Sequence, residues 1–182
     1  MKSLFLRFFF PHTRYFWFLL LIGFFFYEGC GLYFQYVLHL NPCIECVYER
    51  AIFATYAIAA IIGIIHCKAI FTRLLASGVW LGFSIWGLII SIEHRGFELS
   101  YGDPFAATCA LIPNFPSWLK LDELLPAVFS PTGVCGDASW VFAGLTMVQW
   151  IEVIYTCNLV VAAIFVILSF IPQRKYNEWI GK

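Results

Sequence analysis

The sequence predicts an all-α membrane protein: a four-transmembrane-helix bundle forming a single membrane domain over residues 1–182, with both termini cytoplasmic. Three observations carry this expectation. Hydrophobic residues make up 62% of the chain and charged residues only 12%, whereas a soluble domain carries about 25% charged residues to hydrate its surface. Four stretches are apolar over the roughly 20 residues needed to cross a hydrocarbon core of about 30 Å. Basic residues segregate to one side of those stretches, and the loops that hold Lys and Arg stay in the cytoplasm.

The spans are expected at about residues 15–38, 47–65, 74–92 and 150–171. The first resembles a signal peptide, because Lys2, Arg7 and Arg14 precede it. Its apolar run is too long, however, and no small-residue cleavage site follows, so it reads as a retained helix. Trp17, Tyr33, Trp80, Trp150 and Tyr155 lie towards span ends, where amphipathic rings favour the interface. Lys2, Arg7, Arg14, Lys68, Arg73, Arg174, Lys175 and Lys182 fall on one side, leaving Arg50, Arg95 and Lys120 on the other. Two loops are therefore expected to face outward, a short one at about residues 39–46 and a long one at about 93–148. The net charge of zero points to no polyanionic partner, and no nucleic acid is expected.

This topology divides the seven cysteines. Cys43 and Cys46 lie in or beside the short loop, and Cys109 and Cys135 in the long one. Four outward cysteines, one pair spaced C-x-x-C, suggest two disulfides if the outer compartment is oxidising. Cys30, Cys67 and Cys157 read as small buried hydrophobes.

Asn41-Pro42-Cys43-Ile44-Glu45-Cys46 carries the chemistry. Asn is a good N-cap and Pro suits the first helical position, so span two is expected to open here. Cys43 and Cys46 would then share one face of the first turn, where unpaired N–H groups and the helix dipole stabilise a thiolate. Glu45 between them opposes that modestly. Arg50, one turn further in, is expected to reach back to the thiolate, because a charge inside a span is costly and needs a partner.

Five prolines between Pro104 and Pro131 break the long loop. Between Pro116 and Phe129, apolar residues recur at Trp118, Leu121, Leu125 and Val128, which predicts a short amphipathic helix lying on the membrane. Glu28, inside span one, is expected to be structural glue bonded to Gln35 or to span four rather than a proton carrier.

The chain resembles the DsbB family of disulfide bond formation proteins over nearly its whole length. The resemblance rests on the four spans, Pro42-Cys43-Ile44-Glu45-Cys46-Val47-Tyr48-Glu49-Arg50, Pro104-Phe105-Ala106-Ala107-Thr108-Cys109, Phe115-Pro116-Ser117-Trp118-Leu119, and Cys135 before span four. It implies an inner-membrane thiol:quinone oxidoreductase that reoxidises a periplasmic thioredoxin-fold protein similar to DsbA. The cofactor implied is ubiquinone or menaquinone, and no metal. Cys109 is similar to the cysteine that engages the reduced partner, with Cys135 as its loop partner. Cys43 would exchange with that pair, and Cys46 would be the thiolate that contacts the quinone. Arg50 and His94 match positions associated with quinone binding. Three alternatives stand beside this: an enzyme similar to vitamin K epoxide reductase, whose C-x-x-C comes near its last span; a membrane protein that binds a metal through four cysteines; and a scaffold with two static disulfides.

Overall fold

The computed structural model describes residues 10–103, 109, 110, 112–136 and 140–179. Among the described residues three long helices come first: α1 (Arg14–Tyr36), α2 (Ile44–His66) and α3 (Ile70–Leu99). The loop after them holds two single-turn helices, α4 (Leu121–Leu124) and α5 (Pro126–Phe129), and a hairpin of β1 (Val141–Phe142) and β2 (Leu145–Thr146). Then come α6 (Met147–Ser169) and the short α7 (Gln173–Trp179). α1, α2, α3 and α6 are each long and apolar enough to cross a membrane, so the chain is an all-α four-helix membrane bundle. At 30 residues α3 is about 45 Å long and outruns the hydrocarbon core.

The chain divides into two compact units, each containing a segment of all four long helices. One comprises the described residues of Met1–Tyr27, Phe53–Ile85 and Cys157–Lys182. Its core centres on Trp17, Cys67 and Ala76, with Phe16, Leu20, Ile62 and Ile64 packed around them. Cys67 thus serves as a small hydrophobe. Trp17 is fully buried, and its indole N–H donates to the Pro11 carbonyl at 3.0 Å. Gly63 makes room for the ring: a Cβ there would lie 2.1 Å from it.

Arg73 is buried in the same unit and caps two helix ends. One Nη donates to the carbonyls of Cys67 and Lys68 just past α2, the other to those of Ser169 and Ile171 at the end of α6. Carbonyls that a terminating helix leaves without partners are satisfied in this way. His12 lies nearby, with Nε2 2.8 Å from the Ile171 carbonyl and its ring stacked on Tyr176.

The other unit comprises Glu28–Ile52 and Trp86–Thr156, so it contains the described parts of the short loop and the long loop. Tyr155 is its anchor. Its ring lies over Gly87, where a Cβ would approach it to 2.1 Å, and its hydroxyl donates to the Glu49 carbonyl at 2.8 Å. The β1–β2 turn places Ala143 (φ 51°) and Gly144 (φ 81°) in left-handed conformations, the geometry that matches strand twist in a two-residue hairpin.

Two expectations are corrected. Trp17, Trp80 and Tyr155 are core residues rather than interfacial ones, at 0–2% exposure; glycines on facing helices admit the rings of Trp17 and Tyr155, and their polar atoms find partners inside. The single amphipathic helix between Pro116 and Phe129 is replaced by α4 and α5. Pro126 has no N–H to continue α4 and forces Leu125 out of helical geometry (φ −135°, ψ 62°), so the chain restarts at Pro126.

Candidate active site

α2 begins at Ile44, which makes Cys43 its N-cap. The Cys43 carbonyl accepts from the N–H of Val47 (3.2 Å), and its Sγ accepts from the N–H of Cys46 (3.4 Å). The expected cap at Asn41 with Pro42 as first helical residue is therefore corrected. The Pro42 carbonyl is held instead by the long loop, accepting from the N–H groups of Thr132 and Gly133 at 2.9 Å each. Cys43 and Cys46 are free thiols with sulfurs 3.0 Å apart. Cys43 is buried, while Cys46 retains partial exposure.

Cys109 and Cys135 form a disulfide across a separation of 26 residues. Both are buried, and together with Cys43 and Ile44 they make one hydrophobic cluster, flanked by Cys46, Tyr48 and Phe97. The two cysteine pairs thus share a single packed site. Glycines on either side of Cys135 allow this close approach. A Cβ at Gly133 would lie 2.2 Å from the Asn41 carbonyl oxygen. Gly136, at φ 90°, packs on the Phe97 carbonyl, where a Cβ would come to 2.7 Å. Tyr48 secures another part of the loop: its hydroxyl accepts from the Asn114 N–H at 2.7 Å and its ring meets Phe115 edge-on.

His94 reaches the dithiol from α3, where the helix continues beyond its most apolar stretch. Its Nε2 lies 3.4 Å from Cys43 Sγ and its Nδ1 3.1 Å from Glu49 Oε1. With Nδ1–H donating to the carboxylate, Nε2 is aimed at the sulfur and is placed to exchange a proton with it. The ligating atoms of Cys43, Cys46 and His94 all lie within 4.8 Å of one another.

Arg50 does not meet the thiols as expected. One Nη donates to Gln35 Oε1 (2.7 Å) and to the Val128 carbonyl (2.9 Å). Its guanidinium lies across Gly31, where a Cβ would sit 3.0 Å from Nε. Gly31 leaves the space, and charge-assisted bonds on that side outweigh a reach back to sulfur. Gln35, with Tyr36, also donates to the Ala127 carbonyl. Gln35 is thus not the partner of Glu28, whose carboxylate oxygens are buried with no hydrogen bond among the described residues.

The sequence profile of the family described as Disulfide bond formation protein DsbB matches residues 13–165. The chain belongs to the DsbB family. Relatives named Disulfide bond formation protein B include one from Haemophilus influenzae (strain 86-028NP), 39% identical over 169 residues, covering 93% of this chain and 94% of the relative. Another, from Vibrio parahaemolyticus serotype O3:K6, is 40% identical over 167 residues, covering 88% and 89%. A third, from Pseudoalteromonas translucida, is 42% identical over 142 residues, covering 78% and 81%.

In this DsbB-family chain the fold brings together Cys43, Cys46, Cys109, Cys135 and His94, and sets Arg50 apart on the α1-facing side. Cys109 and Cys135 are bonded to each other, so the four cysteines do not form a shared metal centre. Glu49 and Tyr155 contribute to the site without having been singled out as site residues. Glu49 sits inside the Tyr-Glu-Arg motif, where its position one turn after Cys46 was the available signal.

Proposed function

We propose that this multi-pass membrane protein of the DsbB family is a bacterial inner-membrane thiol:quinone oxidoreductase, its four redox cysteines facing the periplasm. It reoxidises a thioredoxin-fold dithiol protein similar to DsbA. The single observation that supports a relay over two static staples is the packing of Cys43, Cys109 and Cys135 in one cluster. Thiol–disulfide exchange requires a thiolate to reach a disulfide sulfur directly, and shared packing provides that reach.

The electron path runs through two exchanges. A thiolate of the reduced partner attacks the Cys109–Cys135 disulfide and forms a mixed disulfide; the partner's second thiol resolves it, leaving the partner oxidised and the loop pair reduced. A loop thiolate then attacks the oxidised Cys43–Cys46 disulfide, and the second loop thiol resolves that link. The products are a reoxidised loop pair and a Cys43–Cys46 dithiol. Both loop cysteines are buried, so the first attack needs local displacement of the loop by the partner.

The residues around the C-x-x-C pair fit a quinone acceptor. Cys46 is the more exposed residue of its pair, the His94 imidazole lies beside Cys43, and the Arg50 guanidinium is carried one turn further along α2. When bound, the quinone supplies a two-electron, two-proton acceptor. His94, oriented by Glu49, is placed to exchange a proton with Cys43. Cys46 stands in the first turn of α2, its sulfur 3.0 Å from that of Cys43. Arg50 orients the acceptor while tying α1 to the loop at Val128.

The test is anaerobic turnover of the purified protein with a reduced DsbA-like protein and a soluble quinone. Stoichiometric quinol and oxidised partner are expected. Absence of quinone reduction with ubiquinone and menaquinone analogues alike would overturn the assignment.

A further inference from the structure

The dithiol end of the site has a second chemistry. Cys43, Cys46 and His94 are grouped with ligand atoms within 4.8 Å of one another, and two sulfurs and an imidazole nitrogen form a donor set that suits thiophilic cations. In tetrahedral zinc geometry two thiolates stand about 3.8 Å apart, and a thiolate and an imidazole nitrogen about 3.5 Å apart. The chain places Cys43 Sγ 3.4 Å from His94 Nε2 and 3.0 Å from Cys46 Sγ. A rotation of one cysteine side chain opens the shorter gap.

A second, independent feature points the same way. Zinc-bound histidines commonly donate their remote N–H to a carboxylate, which fixes the tautomer and aims the other nitrogen at the metal. His94 has this arrangement with Glu49, in the interior, with Nε2 aimed at the sulfurs. Glu49 is in turn fixed through its own backbone by the Tyr155 hydroxyl.

We propose that the reduced Cys43–Cys46 dithiol and His94 form a Zn²⁺ site with one exchangeable coordination position. Binding expels the two thiol protons and leaves the sulfurs at the same oxidation level. Only the reduced pair binds, because a disulfide has no thiolate to offer. Zinc at this site withholds both sulfurs from alkylation and from oxidation, so that free zinc holds the enzyme in its reduced state.

The experiment uses the full chain carrying Cys109→Ser and Cys135→Ser, reduced and kept anaerobic, titrated with Zn²⁺ against a chromophoric chelator. We expect one zinc per chain, protection of Cys43 and Cys46 from alkylation, and release of the metal when the pair is oxidised. In this background Cys43→Ser and Cys46→Ser should each abolish tight binding. Glu49→Gln should weaken it about 10–100-fold, as loss of an orienting partner does. Titration with Co²⁺ gives a reading that needs no further variant: a thiolate-to-cobalt charge-transfer band is expected. Failure to retain zinc, absence of that band, or undiminished binding by the Cys43→Ser or Cys46→Ser chain would each overturn the site. None of these readings depends on quinone reduction.

Discussion

His94 and Glu49 form a buried pair, Nδ1 3.1 Å from Oε1, with side chains only 4% and 3% exposed. The pairing joins α3 to α2 beside the dithiol and leaves the second imidazole nitrogen facing Cys43. If His94 moves the thiol proton, His94→Gln should slow reduction of the quinone by about 10²–10⁴-fold, the usual contribution of a positioned acid–base group. Glu49→Gln keeps a hydrogen bond and should lose less. Stopped-flow quinone reduction by pre-reduced protein measures both, and an unchanged His94→Gln rate would remove the residue from the mechanism.

Arg50 has a separate role. Hydrogen bonds to charged groups contribute about 1.5–3 kcal/mol each, so Arg50→Met should free the chain around Val128 and raise the KM for quinone by about tenfold or more. Limited proteolysis should cut the 121–129 segment faster. Gln35→Ala should reproduce the proteolysis without the full change in KM. Equal effects of the two variants on KM would make Arg50 a tether alone.

Glycines on the long helices separate packing from propensity. Gly63→Ala and Gly87→Ala drive a Cβ to 2.1 Å from the rings of Trp17 and Tyr155, and overpacking of this kind costs about 1–3 kcal/mol. A methyl group at Gly78 would meet nothing within 4 Å, so Gly78→Ala should be neutral or raise stability by up to about 1 kcal/mol. Thermal unfolding in detergent ranks the three.

Burial holds His12 down at about 4 from its ordinary 6.5, with the Ile171 carbonyl opposing the shift and the Arg73 charge adding to it. Between those two values the unfolded chain binds more protons than the folded one, so stability rises with pH across the window and falls on acidification. The melting temperature should drop as pH is lowered from about 6.5 towards 4. The slope should flatten in His12→Gln, and an identical slope would assign it to other groups.

Glu28→Gln should leave turnover nearly intact. A loss of about tenfold, or 1.4 kcal/mol of barrier, would place this buried carboxyl in the proton path instead.

The four spans and the C-x-x-C were legible because length, apolarity and short-range spacing are local properties. The Asn41 cap does not form because the Pro42 carbonyl is claimed by Thr132 and Gly133, which lie far along the chain and leave no mark on the local spacing. Arg50 turns away for a related reason: helical spacing lets it face Cys46, but does not reveal that Gly31 on α1 leaves it a better place. His94 was visible as a residue, yet its contact with Cys43 spans 51 positions and depends on α3 continuing past its apolar stretch. Burial of Trp17 and Tyr155 was hidden because Gly63 and Gly87, which admit their rings, lie on other helices.

The central claim is that electrons cross from the loop pair to the C-x-x-C pair within one cluster. Its most direct test is disulfide mapping of two chains, Cys46→Ser with Cys109→Ser and Cys46→Ser with Cys135→Ser, after reduction and then oxidation with limiting quinone or diamide, using peptide mass analysis under non-reducing conditions. With both resolving thiols gone, Cys43 should be trapped in a disulfide with the loop cysteine that remains. Recovery of Cys43 and the remaining loop cysteine as free thiols in both chains would contradict the relay.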